Sequence, residues 1–368
     1  MDTHARMVDV AVIGAGQAGL SAAYFLRRAG FAPESGYVLL DADDGPGGAW
    51  QHRWPSLRFD QAHGFFPLPG TSLEGVDATV PASEIVADYF AKYERRFDLP
   101  VHRPVRVGAV HDRDDGRLLI QTDAGDWIAR ALLNSTGTWT KPFWPRYPGM
   151  ETFQGRQLHT ADYRRADEFA GQHVVVVGGG HSAVQLLAEI SEVTTTTWVT
   201  RRPPRWREGP FDEDAGRAAV AMVEAAVREG RRPSSVVSVT GLAHTPATLA
   251  AQERGALDRL PMFDRVTANR VAWDDGRFVE ADVILWATGF RWALDHLAAL
   301  HLRERGGGIT MRGTMVARDP RIHLLGYGPS ASTVGANRAG RAAVREVRRL
   351  LAGDAYNRPG TGGVAIAA

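Results

Sequence analysis

The chain has 368 residues, enough for two domains with full cores, and a formal net charge of +1 that argues against a nucleic-acid or other polyanionic partner. It contains no cysteine, which excludes disulfide frameworks, thiolate metal sites and electron relay through a redox-active dithiol, and no metal is expected. Of its 43 basic residues only Lys92 and Lys141 are lysines. No apolar stretch reaches transmembrane length and the run after Arg6 is too short for a signal peptide, so a soluble cytoplasmic protein without a membrane partner is the default expectation.

The first element is an apolar run, Val8 to Ile13, that reads as a buried parallel strand and leads into Gly14-Ala15-Gly16-Gln17-Ala18-Gly19. In such a loop Gly14 and Gly16 permit a tight turn and close approach of backbone to a pyrophosphate, while Gly19 must be small for the helix to pack on the strand. The phosphate charge then faces free N–H groups at a helix N-terminus. The helix continues from Leu20 and stops at Gly30, and a second strand, Tyr37 to Leu40, ends in Asp41. An acid there can accept both hydroxyls of an adenosine ribose and repels a 2'-phosphate, which suits FAD or NAD. Val105 to Val110, Arg117 to Thr122 and Trp127 to Leu133 read as a small antiparallel meander with turns at Gly116 and Gly125.

A second strand and loop begin at His173 to Val177 and Gly178-Gly179-Gly180-His181-Ser182-Ala183. Gly178 and Gly180 take the two glycine roles, Ser182 lies within the phosphate turn, and Ala183 is the small packing residue. The next strand, Thr195 to Thr200, ends in Arg201-Arg202, a pair suited to fork a 2'-phosphate, so NADPH is the better match; the alternative is solvated surface charge. Asp214 to Gly230 has helical spacing, and the stretch to Arg270 has no sharp pattern. Trp206, Phe211, Met262 and Phe263 either fill core, the commoner use of such residues, or border a substrate cleft. Ile322 to Gly328 reads as a strand entering a loop, and Ser332 to Asn337 opens a last helix with Arg338, Arg341, Arg345, Arg348 and Arg349 on its solvated side.

Between the loops, Phe153-x-Gly155-x-x-x-His159-x-x-x-Tyr163 resembles the fingerprint of the class B flavoprotein monooxygenases, which include flavin-containing and Baeyer–Villiger monooxygenases. Gly47-Gly48-Ala49-Trp50 resembles their G-G-x-W flavin segment, and Thr136-Gly137 and Thr288-Gly289 resemble their two T-G turns, where chain crosses between domains. On this resemblance the chain is a short, single-chain, bacterial-type member. The implied fold is α/β, with two dinucleotide-binding (Rossmann-like) domains: an FAD domain of residues 1–160 and 286–368, and an NADPH domain of 161–285 inserted into it.

The resemblance also implies a chemistry. NADPH reduces the flavin, O2 adds to give a C4a-(hydro)peroxyflavin, and one oxygen atom passes to a small sulfide, amine or ketone. Gly48, Trp50, Val107 (through its backbone) and Asn337 become cofactor residues by the same resemblance, with the last helix aimed at the flavin pyrimidine. Asp60 resembles a Baeyer–Villiger aspartate that positions an arginine near the flavin; the competing reading is a surface or capping aspartate. His159 receives a linker role acting on cofactor geometry. His63 and His181 carry little functional expectation, and a homodimer is compatible with the chain. Two other readings stay open: an NADPH oxidase or reductase without oxygen insertion, and a non-catalytic redox sensor.

Overall fold

The computed structural model describes residues 5–62, 65–207, 213–233 and 241–356. His63 and Phe211 lie outside them. Strand β1 (Arg6–Ile13) is flanked in parallel by β2 (Tyr37–Leu40) and β6 (Trp127–Asn134). Val10, Ala11 and Val12 are fully buried, since helices α1 (Gln17–Arg28) and α6 (Thr333–Tyr356) cover one face and the β-hairpin side covers the other. That two-sided burial explains a continuous rather than alternating apolar run.

The sheet continues through β3 (Val101–His102) on one side and β17 (Asp319–Leu324), β16 (Met315–Val316) and β15 (Met311–Arg312) on the other. Strand β4 (Val107–Asp112) pairs antiparallel with β5 (Leu118–Thr122), and β5 with β6. The meander expected from the sequence is therefore present, but its third strand is also a central strand of the parallel sheet, which is why β6 is buried nearly throughout. Helix α2 (Ala82–Arg96) packs its Val86, Phe90 and Tyr93 face onto the same core.

The second sheet is parallel throughout, in the order β10 (Arg259–Pro261), β9 (Thr196–Thr200), β8 (Val174–Val177), β14 (Val283–Trp286), β7 (Arg156–His159). Strand β7 lies before residue 161 in the chain yet belongs to this second sheet. Helix α3 (His181–Ile190) follows the second glycine loop, and α5 (Pro246–Glu253) packs against it. Helix α4 (Glu213–Arg228) returns to the first domain, where Val227 joins the cluster of Leu294, Leu297 and Tyr327. Strands β11 (Arg265–Thr267), β12 (Arg270–Ala272) and β13 (Phe278–Glu280) form a small antiparallel sheet. Phe263 is buried core, with Met262 packed beside it and Trp206 against the neighbouring cluster.

Helices α1 and α6 meet at glycine. A Cβ on Gly340 would lie 2.8 Å from Ser21 Oγ and 2.9 Å from the Ala22 amide nitrogen. Gly340→Val forces these helices apart, and overpacking of this kind costs about 1–3 kcal/mol. A urea titration should show a lowered midpoint with an unchanged slope; an unchanged midpoint would mean that the crossing tolerates side chains.

Candidate functional site

A cavity of about 390 Å³ opens at the C-terminal ends of β1, β2 and β6, the edge at which parallel α/β sheets receive ligands. Gly14, Gly16, Gln17, Asp41, Gly48, Trp50, Val107, Thr136 and Gly137, gathered from separate parts of the sequence, all line it. Gly14 has φ +93°, and a Cβ there would sit 2.8 Å from the Ser135 carbonyl oxygen. Gly16 faces Gly48, whose Cβ would come within 2.8 Å of the Gly16 Cα. Gly19 does not reach the cavity: a Cβ on it would lie 1.9 Å from the Gly14 carbonyl oxygen, so its smallness sets the helix against the turn. The result is a cradle bounded by backbone, with the N-terminus of α1 at one side and Ser332 and Thr333 of the α6 start at another.

At the end of β2, Asp41 is only 6% exposed. Burial raises its carboxyl above the usual carboxylate range, opposed by Arg103, whose Nε donates to Asp41 Oδ2 at 2.6 Å. The same guanidinium forks onto Glu94 at 2.7 and 2.8 Å. Arg103 thereby fixes the orientation of Asp41 in the cavity wall. Neither Arg103 nor Glu94 announces this role in the sequence, because the contact is made across 62 positions.

One side of the cavity is aromatic. Trp50, His52 and Trp139 line it, with the His52 and Trp139 rings stacked 5.8 Å apart and Trp139 stacked on Phe290 at 5.0 Å. His296 also reaches the cavity, a residue the sequence does not mark. Its Nε2 is 2.6 Å from Asn134 Oδ1; Asn134 Nδ2 donates to Thr136 Oγ1 at 3.1 Å, and Thr136 Oγ1 donates to the Ala293 carbonyl at 2.6 Å. The chain of donors assigns the proton to Nε2 and the amide orientation to Asn134. Burial pushes the His296 imidazole down to about 4, so it is neutral near pH 7.

His159 is fully buried beside the chain crossing. Its Nδ1 accepts from the Ala161 amide at 3.1 Å and its Nε2 donates to the Gly289 carbonyl at 3.0 Å. Both ring nitrogens are occupied and burial lowers its basicity, an arrangement that holds chain rather than moving protons. The Gly289 carbonyl also accepts the Phe143 amide at 2.9 Å, and Thr288 Oγ1 donates to the Phe143 carbonyl. Thr288 and Gly289 thus tie the crossing and do not line the cavity. Asn337 likewise stands behind the wall: its Nδ2 donates to Pro67 O at 2.8 Å and its Oδ1 accepts from Gln17 Nε2 at 2.9 Å, fixing a loop against the first turn. Gln17 Oε1 is buried in the cavity wall with no hydrogen-bond partner among the described residues. Asp60 lies on an exposed 3-10 turn, Phe59–Gln61, outside the cavity lining.

The second loop repeats the first. Gly178 has φ +144° and a Cβ there would lie 2.2 Å from the Ala287 carbonyl oxygen, whereas Gly180 faces open space and Ala183 is buried. Ser182 follows at the start of α3. Arg201 and Arg202 are exposed just past β9, with no side-chain hydrogen bond or ion pair among the described residues. Arg259 braces that strand end, donating to the Thr200 carbonyl at 3.1 Å.

Two parallel sheets, each ending in a glycine loop and joined at one crossing, define a two-dinucleotide oxidoreductase. Residues 11–215 match the family described as pyridine nucleotide-disulphide oxidoreductase. A flavin-containing monooxygenase from Stenotrophomonas maltophilia is 38% identical with a TM-score of 0.80, over 94% of this chain and 99% of that one. A Baeyer–Villiger monooxygenase of Streptomyces coelicolor is 32% identical over 208 residues, 54% of this chain and 38% of that protein. An uncharacterised CzcO-like oxidoreductase of Geobacillus kaustophilus is 31% identical over 187 residues, 51% of this chain and 52% of that protein. Against these two curated relatives the matched region spans about half of their length or less.

The chain belongs to the pyridine nucleotide-disulphide oxidoreductase family and, within it, to the class B flavoprotein monooxygenases, with FAD and NADP(H) as the cofactor pair. Because it has no cysteine, the disulphide chemistry in the family's description has no residue to act through here. Among the described residues no helix is long and apolar enough to cross a membrane.

The buried histidines give a pH dependence. His296 and His323 are both pushed down to about 4, while an unfolded chain protonates them near 6.5. As pH falls from 6.5 toward 4 the unfolded state gains protons that the folded state refuses, so stability falls, by up to about 3 kcal/mol per histidine. Urea midpoints between pH 7 and pH 4.5 should decline, and His296→Gln should flatten the decline; equal slopes would mean that the imidazole ionises in place.

Proposed function

We propose that this protein is an NADPH-dependent FAD monooxygenase that inserts one oxygen atom from O2 into a small soft nucleophile such as a sulfide or amine, or into a ketone, and reduces the other to water. The observation that carries the reading is one cavity lined both by a dinucleotide cradle and by a Trp50, His52, Trp139 wall, with Trp139 stacked on Phe290 at the crossing that leads to a second glycine loop. When bound, FAD supplies the hydride acceptance and oxygen activation that protein side chains lack.

The chain's own residues supply binding, orientation and water exclusion. Gly14, Gly16 and Gly48 let backbone N–H groups approach a pyrophosphate, and Asp41, held by Arg103, accepts ribose hydroxyls. The N-terminus of α6, whose Ser332 and Thr333 line the cavity, would offer a positive dipole end to the negative charge of a reduced flavin. The Trp139–Phe290 stack would help exclude water from a bound flavin, and neutral His159 keeps the crossing at a fixed geometry. Arg201 and Arg202, without carboxylate partners among the described residues, suit the 2'-phosphate of NADPH. Asp60, exposed on its turn, takes no part in this reading. A cytoplasmic setting, with O2 and a small molecule as the partners, accords with this chemistry.

The deciding assay measures oxygenated product, NADPH consumed and hydrogen peroxide released with a small aryl sulfide. Product carrying label from 18O2, in step with NADPH oxidation, is expected; recovery of all reducing equivalents as hydrogen peroxide would make the protein an oxidase. Separately, Arg201→Ser with Arg202→Ser should raise the KM for NADPH by roughly 10- to 100-fold, the worth of charge-assisted bonds, with the KM for NADH shifted far less. Equal effects on both nucleotides would remove the phosphate fork.

A further inference from the structure

His296 brings an unspent hydrogen-bond acceptor to the cavity. It stands in a 3-10 turn, Asp295–Leu300, and lines the cavity together with Trp292 and Ala293. Its tautomer is set by neighbours that cannot exchange roles. The Ala293 carbonyl only accepts, so the Thr136 hydroxyl spends its one proton there at 2.6 Å and must itself accept from Asn134 Nδ2 at 3.1 Å. Asn134 Oδ1 is then the acceptor in the 2.6 Å contact with His296, and Nε2 carries the proton. Burial keeps the imidazole neutral near pH 7, which leaves a bare lone pair on Nδ1. Among the described residues nothing donates to it. Gln17 Oε1 and His323 Nε2 also lack partners but are closed off, whereas His296 Nδ1 is not.

The turn that carries His296 belongs to the same wall as the β-hairpin. Its Leu297 and Leu300 pack with Val105 and Val110, and the Ala293 amide donates to the Gly137 carbonyl at 3.0 Å. Val105, Arg106 and Val107 line the cavity beside it, and the Val105 amide donates to the Asp41 carbonyl at 2.7 Å. A base attached to a ribose held by Asp41 therefore meets the wall that includes His296. On the adenosine half of FAD the phosphates and ring nitrogens only accept, and the ribose hydroxyls are met by Asp41. The exocyclic amino group is the donor that remains.

We propose that His296 Nδ1 accepts a hydrogen bond from the exocyclic amino group of the FAD adenine, so that the cavity selects the base as well as the ribose and phosphates. The inference rests on the FAD reading above, with Asp41 on the ribose, and not on oxygen transfer. Asn134 and Thr136 act through His296 as positioning residues, since their two hydrogen bonds hold the proton on Nε2 and keep Nδ1 an acceptor. A hypoxanthine base has a carbonyl oxygen in place of the amino group and would set one lone pair against another. Discrimination by a site built to receive a donor follows from leaving its acceptor unpaired.

Exchange of the bound cofactor tests this. The full-length, FAD-loaded protein is equilibrated with a mixture of FAD and flavin hypoxanthine dinucleotide, and the ratio of bound flavins is read by chromatography. FAD should be favoured, and His296→Phe, which keeps a ring but loses the acceptor, should lower that preference by roughly 3- to 10-fold, the worth of one hydrogen bond. Loss of the Asn134 contact in this variant weakens both dinucleotides alike and cancels in the ratio. His296→Gln, whose amide can donate through Nε2 and accept through Oε1, should keep part of the preference. A preference unchanged within about twofold in both variants, less than one hydrogen bond, overturns the inference. So does a change confined to a 4'-deoxyribityl analogue of FAD, which would put the acceptor on the ribityl chain. Protein that carries FMN in place of FAD would instead sink the FAD reading, whereas bound FAD without any effect of His296 on the base leaves that reading standing.

Discussion

Both halves of the molecule hinge on the same steric fact. The first glycine of each loop sits so close to the carbonyl at the end of a neighbouring strand, Gly14 at Ser135 and Gly178 at Ala287, that no side chain fits between them. The two carbonyls belong to the residues just before Thr136-Gly137 and Thr288-Gly289. The glycine loops and the T-G turns, apparently separate in the sequence, are thus the two sides of one backbone contact made twice. Each contact fixes where a strand end stops, which sets the floor of the cradle in the first domain and the crossing in the second.

On that floor the polar groups are arranged to stay in one protonation state. His159 has an acceptor and a donor partner for its two nitrogens, and the line from His296 through Asn134 and Thr136 to the Ala293 carbonyl runs in one donor direction. Buried and neutral, these groups add shape to the site without adding charge. The charged residues that do line the cavity are Asp41, locked by Arg103, Asp43, bonded to His52, and Arg106.

Patterns with a local cause were legible in the sequence. Tyr37–Leu40 is the strand expected, and the apolar run before each glycine loop folds as read, because burial on both faces leaves a continuous apolar signature. Helix α5 was not legible, since its capping box pairs Thr245 with Thr248 rather than with the usual Glu or Gln. The dual use of β6 was hidden as well, as an antiparallel turn on one side says nothing of a parallel neighbour on the other. Arg103 and His296 could not be singled out, because their partners lie 62 and 162 positions away. Asp60 marks the reverse case: a local likeness suggested closeness to a flavin, whereas the backbone turns that residue to solvent.

The scarcity of lysine has a practical side. Lys92 lies on the outer face of α2, paired along the helix with Asp88. Lys141 pairs with Asp295, and its backbone carbonyl accepts the Arg291 amide within the strands that cross between the domains. An amine-directed probe therefore has one side-chain target on a surface helix and one beside the chain crossing. The lysine content that says little about binding lets amine chemistry address the helix layer of the first domain and the chain crossing separately.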